Sequence, residues 1–232
     1  MTRIEQARIL VVGASGALGT LIAQRLADRG ARLVRHGRDA AKLDDSAGDA
    51  VVAVDLTDAD APEAIVDRAV DALGGLDAIV MAAGVVGFDG VAETAAQDLE
   101  TLFTVNALAP MRIISSALPK LQESAAAGNE PVVLTISGIV SELPTAGLAS
   151  YSASKAALAA YVAAAGRELR RSGIRLVDAR PGHTETGLAE RPLFGTAPRF
   201  PRGHDPEAVA DRLVRAIEEG ATALPPDAFT GA

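Results

Sequence analysis

The chain has 232 residues, of which 49% are hydrophobic and 22% charged, enough to bury the core of one large α/β domain. A formal net charge of -8 argues against a nucleic-acid or anionic-membrane surface, and the absence of cysteine excludes disulfides, thiolate nucleophiles and thiolate zinc sites. His36, His183 and His204 lack ligand spacing, no apolar segment approaches the ~20 residues that span a bilayer, and "MTRIEQARILVVG" carries no signal-peptide core, so a cytoplasmic protein without a metal site is expected.

Short apolar β-rich runs alternate with helical patterns. "RILVV" (8–12) precedes a helix from about Gly19 to Arg29, with Ile22 and Leu26 on one face and Gly30 as its stop. "ARLVRH" (31–36) and "AVVAVD" (50–55) read as the second and third strands, and Pro62 opens a helix to about Leu73. "LDAIVMA" (76–82) is the fourth strand, followed by a long helix over 96–121 with a kink expected at Pro110. "PVVLTI" (131–136), a helix over 152–171 and "IRLVDA" (174–179) come next. Asp205, Pro206 and Glu207 start a last helix, and "ATAL" (221–224) is a candidate edge strand. The runs are continuously apolar, as burial on both sheet faces requires. This order predicts a single α/β domain over 1–232: a Rossmann-like, doubly wound parallel sheet of about seven strands with helices on both faces. Ligands of such sheets sit beyond the carboxyl ends of the strands.

"VVGASGALGT" joins the first strand to the first helix, the context of a phosphate-binding turn. Gly13 permits the tight turn, Gly16 lets the backbone approach a pyrophosphate and Gly19 allows close helix–strand packing, with Ser15 and Leu18 between them. The free N–H groups of the helix N-terminus favour an anion. "RHGRD" at the end of the second strand offers Arg35, His36 and Arg38 with no acid before Asp39, which favours a 2′-phosphate and hence NADP(H) over NAD(H). Asp55, followed by Leu56, is placed to meet an adenine amino group or to cap its own loop.

"YSASK" sets Tyr151 and Lys155 one helical turn apart on a common face. With the glycine turn, Asp55, "AAG" (Ala82, Ala83, Gly84), Asn106 in "VNALAP", Ser137 in "TISG" and "PGHTET" (181–186), the chain resembles the short-chain dehydrogenase/reductase family over nearly its whole length. The resemblance implies Tyr151 as general acid/base and Lys155 as its cationic partner and ribose ligand. It implies Asn106 as holder of a relay water, and Pro181, Gly182, Thr184 and Thr186 around a nicotinamide. An unaided tyrosine of pKa ~10 is only about 0.1% ionised at pH 7. A cation ~4 Å away at an effective dielectric of ~20 is worth roughly 4 kcal/mol, enough to lower that pKa by about 3 units.

Three places in the chain, four residues in all, depart from the family pattern. Ala17 stands where the second glycine of the turn is common, Met81 and Ala82 replace two asparagines, and Gly138 occupies the serine position thirteen residues before the tyrosine. Ser137, with Ser141 second, is the candidate for the missing hydroxyl, whose loss could cost on the order of 10² in rate. Segment 187–203 reads as a substrate lid, bringing Leu188, Leu193, Phe194 and Phe200 towards Phe88, Val140, Leu143 and Leu148 and implying a hydrophobic ketone, aldehyde or alcohol. Helix 152–171 has no charged face over its first three turns, which implies a homodimer or homotetramer. The expected function is an NADP(H)-dependent oxidoreductase. The competing expectation is a dinucleotide-binding regulatory protein without turnover.

Overall fold

The first strand, β1 (Arg8–Val12), is an apolar run whose last four residues are buried. The structure, a computed structural model, describes residues 2–43 and 50–231. From β1 the chain passes through α1 (Ala17–Asp28), β2 (Arg32–Gly37), β3 (Ala50–Ala53) and α2 (Ala61–Leu73) to β4 (Ala78–Met81). Then come α3 (Ala96–Phe103), a π-helical turn at Thr104–Leu108, α4 (Ala109–Ala126) and β5 (Val132–Ile136). Last are α5 (Ala149–Leu169), β6 (Arg175–Ala179) and α6 (Pro206–Glu219). The strands pair in parallel in the order β3-β2-β1-β4-β5-β6. The order reverses between β1 and β4, so the ligand crevice lies beyond those two strand ends.

This is the doubly wound fold expected from the sequence, with six strands rather than about seven. Of residues 221–224 only Leu224 joins the sheet edge, its N–H donating to the Asp178 carbonyl (3.0 Å) and its own carbonyl accepting from the Arg180 N–H (2.9 Å). Pro225 and Pro226 follow at once and have no N–H to extend the ladder.

Alternation along each strand divides the core into two layers. Ile9 and Val11 pack with Ile22 and Leu26 of α1 and Leu213 and Ile217 of α6. Leu10 and Val12 face the other way, towards Ile65 and Val66 of α2, Ile113 of α4 and Leu158 of α5. Burying each such side chain contributes roughly 1.5–3 kcal/mol, which is why both faces of the strands must be apolar.

Helix ends follow local chemistry. α1 begins two residues earlier than the glycine pattern suggested, because Gly16 in extended conformation caps it. The Asp205 carboxylate accepts from the Glu207 N–H (3.1 Å) and Pro206 takes the first turn of α6, while Gly220 at φ +76° ends it. The expected kink at Pro110 is the π turn. Proline gives no hydrogen bond to the carbonyl four residues earlier, that of Asn106, and the Ala109 N–H reaches back five residues to Thr104 instead. The continuous helical run Ala96–Ala126, 31 residues long, is apolar enough by composition to cross a membrane, contrary to expectation, but half of its most apolar window is buried in this fold.

Candidate active site

The glycine-rich turn is held by its own backbone. The Gly13 and Ala14 N–H groups both donate to the His36 carbonyl (3.0 and 2.8 Å), and the Thr20 hydroxyl donates to the Ala14 carbonyl (2.9 Å). A Cβ on Gly13 would lie 2.4 Å from the Ala83 nitrogen, and one on Gly19 would lie 2.0 Å from the Gly13 oxygen. These two glycines let β1, β4 and α1 touch. Gly16 differs, because the nearest atom to its Cβ position is 3.4 Å away and the space beside it is open. Gly37, which the sequence reading did not single out, receives the Ser15 hydroxyl, since a Cβ there would sit 2.8 Å from Ser15 Oγ. Leu18 is half-buried against the α1 layer, and Leu56 is buried in the α2 layer.

At the end of β2 the three basic residues divide. His36 gives Nε2 to the Val54 carbonyl (3.0 Å), and burial holds its pKa below the usual histidine value, so it is a neutral structural residue at pH 7. Arg35 is 4% exposed, and its Nε has no hydrogen-bond partner among the described residues. Arg38 is exposed. Asp55 accepts from both the N–H and the hydroxyl of Thr57 (2.9 and 2.8 Å), so it does cap its loop. Burial works to raise its pKa, but the Thr57 bonds and the nearby Arg38 and His36 bring it below the ordinary aspartate value.

β4 runs into Ala82, Ala83 and Gly84, and the Ala82 N–H continues the ladder to the Val12 carbonyl (2.8 Å). Backbone bonding thus supplies support where two asparagines are missing. Asn106, 1% exposed, grips this segment with its side chain. Oδ1 accepts from the Val85 N–H (2.9 Å), while Nδ2 donates to the Val85 carbonyl (2.8 Å) and to Ser154 Oγ (3.0 Å). Ser154 in turn donates to the Tyr151 carbonyl (2.8 Å), a link the sequence reading missed.

Tyr151 and Lys155 project from the first turns of α5, with Lys155 Nζ 5.9 Å from the centroid of the Tyr151 ring. A Cβ on Gly84 would lie 3.3 Å from Lys155 Nζ and 3.4 Å from Asn106 Oδ1, so all three groups border one space. Lys155 Nζ donates to the Ile136 carbonyl (2.9 Å). Burial pushes Lys155 down to about 8, against which Asp178 acts to raise it, and burial pushes the Tyr151 phenol up to about 12. The expected lowering of the phenol is therefore not the balance found. Burial is the cause of the raised phenol, while the Lys155 ammonium is directed at the Ile136 carbonyl.

The loop after β5 explains the displaced serine. Gly138, at φ +76° and ψ 165°, has a backbone that other residues rarely adopt. Ser137 is fully buried, and its hydroxyl donates to Asp178 Oδ2 (2.6 Å). Ser141 Oγ lies 3.2 Å from Ser137 Oγ and donates to the Gly138 carbonyl (2.7 Å).

Beyond β6, Pro181 accepts from the Ile139 N–H (2.9 Å) and Thr184 donates to the Gly182 carbonyl (3.1 Å). The Thr186 N–H donates to the Thr184 carbonyl (2.7 Å), and the His204 N–H to the His183 carbonyl (2.7 Å). Segment 187–203 lies against the stretch after β4, with the Leu193 N–H donating to the Val86 carbonyl (2.8 Å) and the Phe88 N–H to the Phe194 carbonyl (3.0 Å). Val86, Phe88 and Leu148 form an apolar cluster joined by Val140, Tyr151, Leu188 and Phe200. Of the expected wall, Leu143 and Leu193 stay exposed, and the Phe194 ring covers Gly87.

Comparison with known proteins gives this arrangement a family. The short chain dehydrogenase family model matches residues 7–192. A 2,5-dichloro-2,5-cyclohexadiene-1,4-diol dehydrogenase, LinX, of Sphingobium indicum is 32% identical over 187 residues, covering 77% of this chain and 73% of that protein. A 3-ketoacyl-(acyl-carrier-protein) reductase from Brucella melitensis, solved with NADH, is 25% identical with a TM-score of 0.86 over 96% of this chain and 97% of its own. A short chain dehydrogenase from Burkholderia cenocepacia solved with NADP is also 25% identical, with a TM-score of 0.83 over 99% of this chain and all of its own. The protein belongs to the short chain dehydrogenase family and is an oxidoreductase of that family.

Proposed function

We propose that the protein is an NADP(H)-dependent oxidoreductase that interconverts a small hydrophobic ketone or aldehyde with its alcohol. The observation that carries this reading is the pairing of half-buried Tyr151 with buried Lys155, bordered by Gly84 and Asn106, at the carboxyl end of the sheet beside the glycine turn. The residues fit a nicotinamide dinucleotide. Gly16 leaves its side of the turn open for a pyrophosphate at the start of α1, and the unpartnered, buried Arg35 Nε with the exposed Arg38 suits a 2′-phosphate. A bound nicotinamide supplies or accepts the hydride. Asp55 and Leu56, Ala82 to Gly84, and Pro181 to Thr186 stand at the strand ends along the path such a ligand takes in this fold.

Tyr151 would give its hydroxyl proton to the substrate oxygen during reduction and take one from the alcohol in oxidation. A phenol held up to about 12 stays protonated at pH 7, the form that the acid role in carbonyl reduction needs. Lys155 would orient the ribose and carry positive charge near the developing oxyanion. The Asn106 carbonyl, to which Pro110 has no N–H to give, offers an acceptor for a relay water. A second hydrogen bond to the substrate oxygen would come from half-buried Ser141, once its hydroxyl turns its proton from the Gly138 carbonyl to the substrate and lies against Ser137 Oγ. Leu188 and Phe200 on the lid, with Phe88, Val140 and Leu148, give the substrate space an apolar wall. Leu99, Phe103 and Leu108 line a mostly apolar groove of about 550 Å³ on the outside of the long helical run, which supports a homo-oligomer.

The test is NADPH consumption against a carbonyl panel, with Tyr151→Phe as control. Turnover abolished by that substitution supports the reading, and turnover that survives it removes Tyr151 from the chemistry. A second reading, a dinucleotide-binding protein without turnover, draws on the Ser137 proton being committed to Asp178. Tight NADPH binding with no oxidation across the panel selects it.

A further inference from the structure

Asp178 is a buried carboxylate, 8% exposed, between the apolar Val177 and Ala179 of β6. Its register partner across the sheet is Thr135, which places both side chains on the face covered by α5. Thr135 Oγ1 donates to Oδ1 (2.8 Å) and Ser137 Oγ to Oδ2 (2.6 Å), so two hydroxyls, one in β5 and one just after it, fix the carboxylate plane. Arg180, from the end of β6, brings Nε to 3.7 Å of Oδ2 and uses its other end on Glu142. Lys155 on α5 donates to the Ile136 carbonyl, which lies in β5 between the two residues that hold Asp178.

We propose that Asp178 is the positioning residue that keeps Lys155 protonated at neutral pH; its role in the reaction rests on the function proposed above. The argument is one of placement. A buried ammonium needs a compensating negative charge, or it gives up its proton. Among the described residues, the groups recorded against Lys155 are the Ile136 carbonyl, the Asn106 amide beside Gly84, the Tyr151 ring and Asp178, and of these only Asp178 is anionic. The same carboxylate is faced by Thr135, Ser137, Arg180 and Lys155, and the Arg180 charge is shared with Glu142. Asp178 therefore ties the loop hydroxyls and the lysine into one charge arrangement. The raising influence of Asp178 on Lys155 agrees with this placement.

The chain suits a direct test, because Lys42, Lys120 and Lys155 are its only lysines. Protein labelled with 13Cε-lysine gives three resolvable titrations by NMR, with no need for turnover. Lys155 is expected to titrate near 8 in the wild type. In Asp178→Asn its midpoint should fall by at least about one pH unit, while Lys42 and Lys120 stay where they were. An unchanged Lys155 midpoint in the folded variant overturns the proposal. If Asp178→Asn does not fold, the wild type decides. The Lys155 signal should then show a second, acid-side inflection as Asp178 protonates, and a single inflection refutes the coupling. Where the enzyme turns over, the high-pH limb of NADPH-dependent reduction should move down by the same amount in Asp178→Asn. An enzyme that shows no turnover counts against the proposed function and leaves the lysine titration to judge this inference alone.

Discussion

Gly16 and Gly19 lie three residues apart in the same turn, yet alanine should have opposite consequences at the two. At Gly19 the new Cβ would fall 2.0 Å from the Gly13 oxygen, 2.8 Å from the Gly13 carbonyl carbon and 2.9 Å from the Ala14 Cα. All three are backbone atoms of the turn, so relief requires α1 to move away from β1 by more than an ångström. Overpacking of a close-packed interior costs about 1–3 kcal/mol where side chains can yield, and rigid backbone puts Gly19→Ala at or above the top of that range. Gly16 has φ -86° and ψ 162°, extended backbone open to any residue, and its Cβ would come no closer than 3.4 Å to the Gly13 oxygen. Gly16→Ala should therefore keep wild-type stability within about 0.5 kcal/mol. It should lose coenzyme instead, because the methyl enters the one open side of the turn. A tenfold or greater rise in the dissociation constant, about 1.4 kcal/mol, is expected. Urea denaturation measures the first property and quenching or transfer of NADPH fluorescence the second. A Gly19→Ala protein as stable as wild type, or a Gly16→Ala protein that binds NADPH unchanged, would refute the assignment of packing to one glycine and ligand approach to the other.

Other outcomes follow from the same geometry. Between pH 5 and 7, below the Lys155 midpoint, alcohol oxidation should rise about tenfold per pH unit while carbonyl reduction stays nearly flat, because a phenol at about 12 is the acid throughout that range and the base only in its minor ionised form; initial rates in both directions check this, and a flat oxidation profile defeats it. Asp77 accepts from the Arg8 N–H, Nε and Nη2, from Ser124 Oγ and from Asn129 Nδ2, so Asp77→Leu should cost about 3 kcal/mol in urea denaturation. Burial raises the Asp77 pKa, but its Arg8 and Ser124 partners outweigh this and leave it below the aspartate norm. The carboxylate therefore adds stability above pH ~4, lost as pH falls through its lower folded value, and an Asp77→Leu protein whose acid unfolding matches wild type contradicts this. Gly138→Ser would place a side chain at φ +76°, with an expected loss of about 1–3 kcal/mol and no gain in turnover; a stable, faster enzyme would show that the loop can adopt a different backbone. Replacing Leu99 and Leu108, 39% and 51% exposed, by glutamate should convert an oligomer to monomer in sedimentation, and a wild-type protein already monomeric at micromolar concentration removes the oligomer from the proposal.

What was legible in the sequence was whatever one element decides alone. β1, β4 and β5 read as strands because burial on both faces leaves an uninterrupted apolar run, and α6 was bounded by Asp205 and Pro206 because caps act through their own backbone. The Tyr151–Lys155 spacing was legible for the same reason, since one turn of α5 fixes it. The end of the chain was not: "ATAL" has the composition of a strand, but whether it pairs depends on the two prolines meeting the edge of β6. Ionisation was the least legible property. A cation one turn from a phenol lowers its pKa only where the gain exceeds the cost of burying the phenolate, and here burial acts on both groups, raising the phenol and lowering the ammonium. Asp178 escaped notice because a single acid in "IRLVDA" looks like the solvent side of an edge strand. Only the register Thr135↔Asp178, set by a contact 43 residues apart in sequence, shows that it faces α5 and the lysine. The motif on α5 thus names the pair that would do the chemistry, while the charge on its lysine is governed from β6, and it is at Asp178 that this member of the family should be probed.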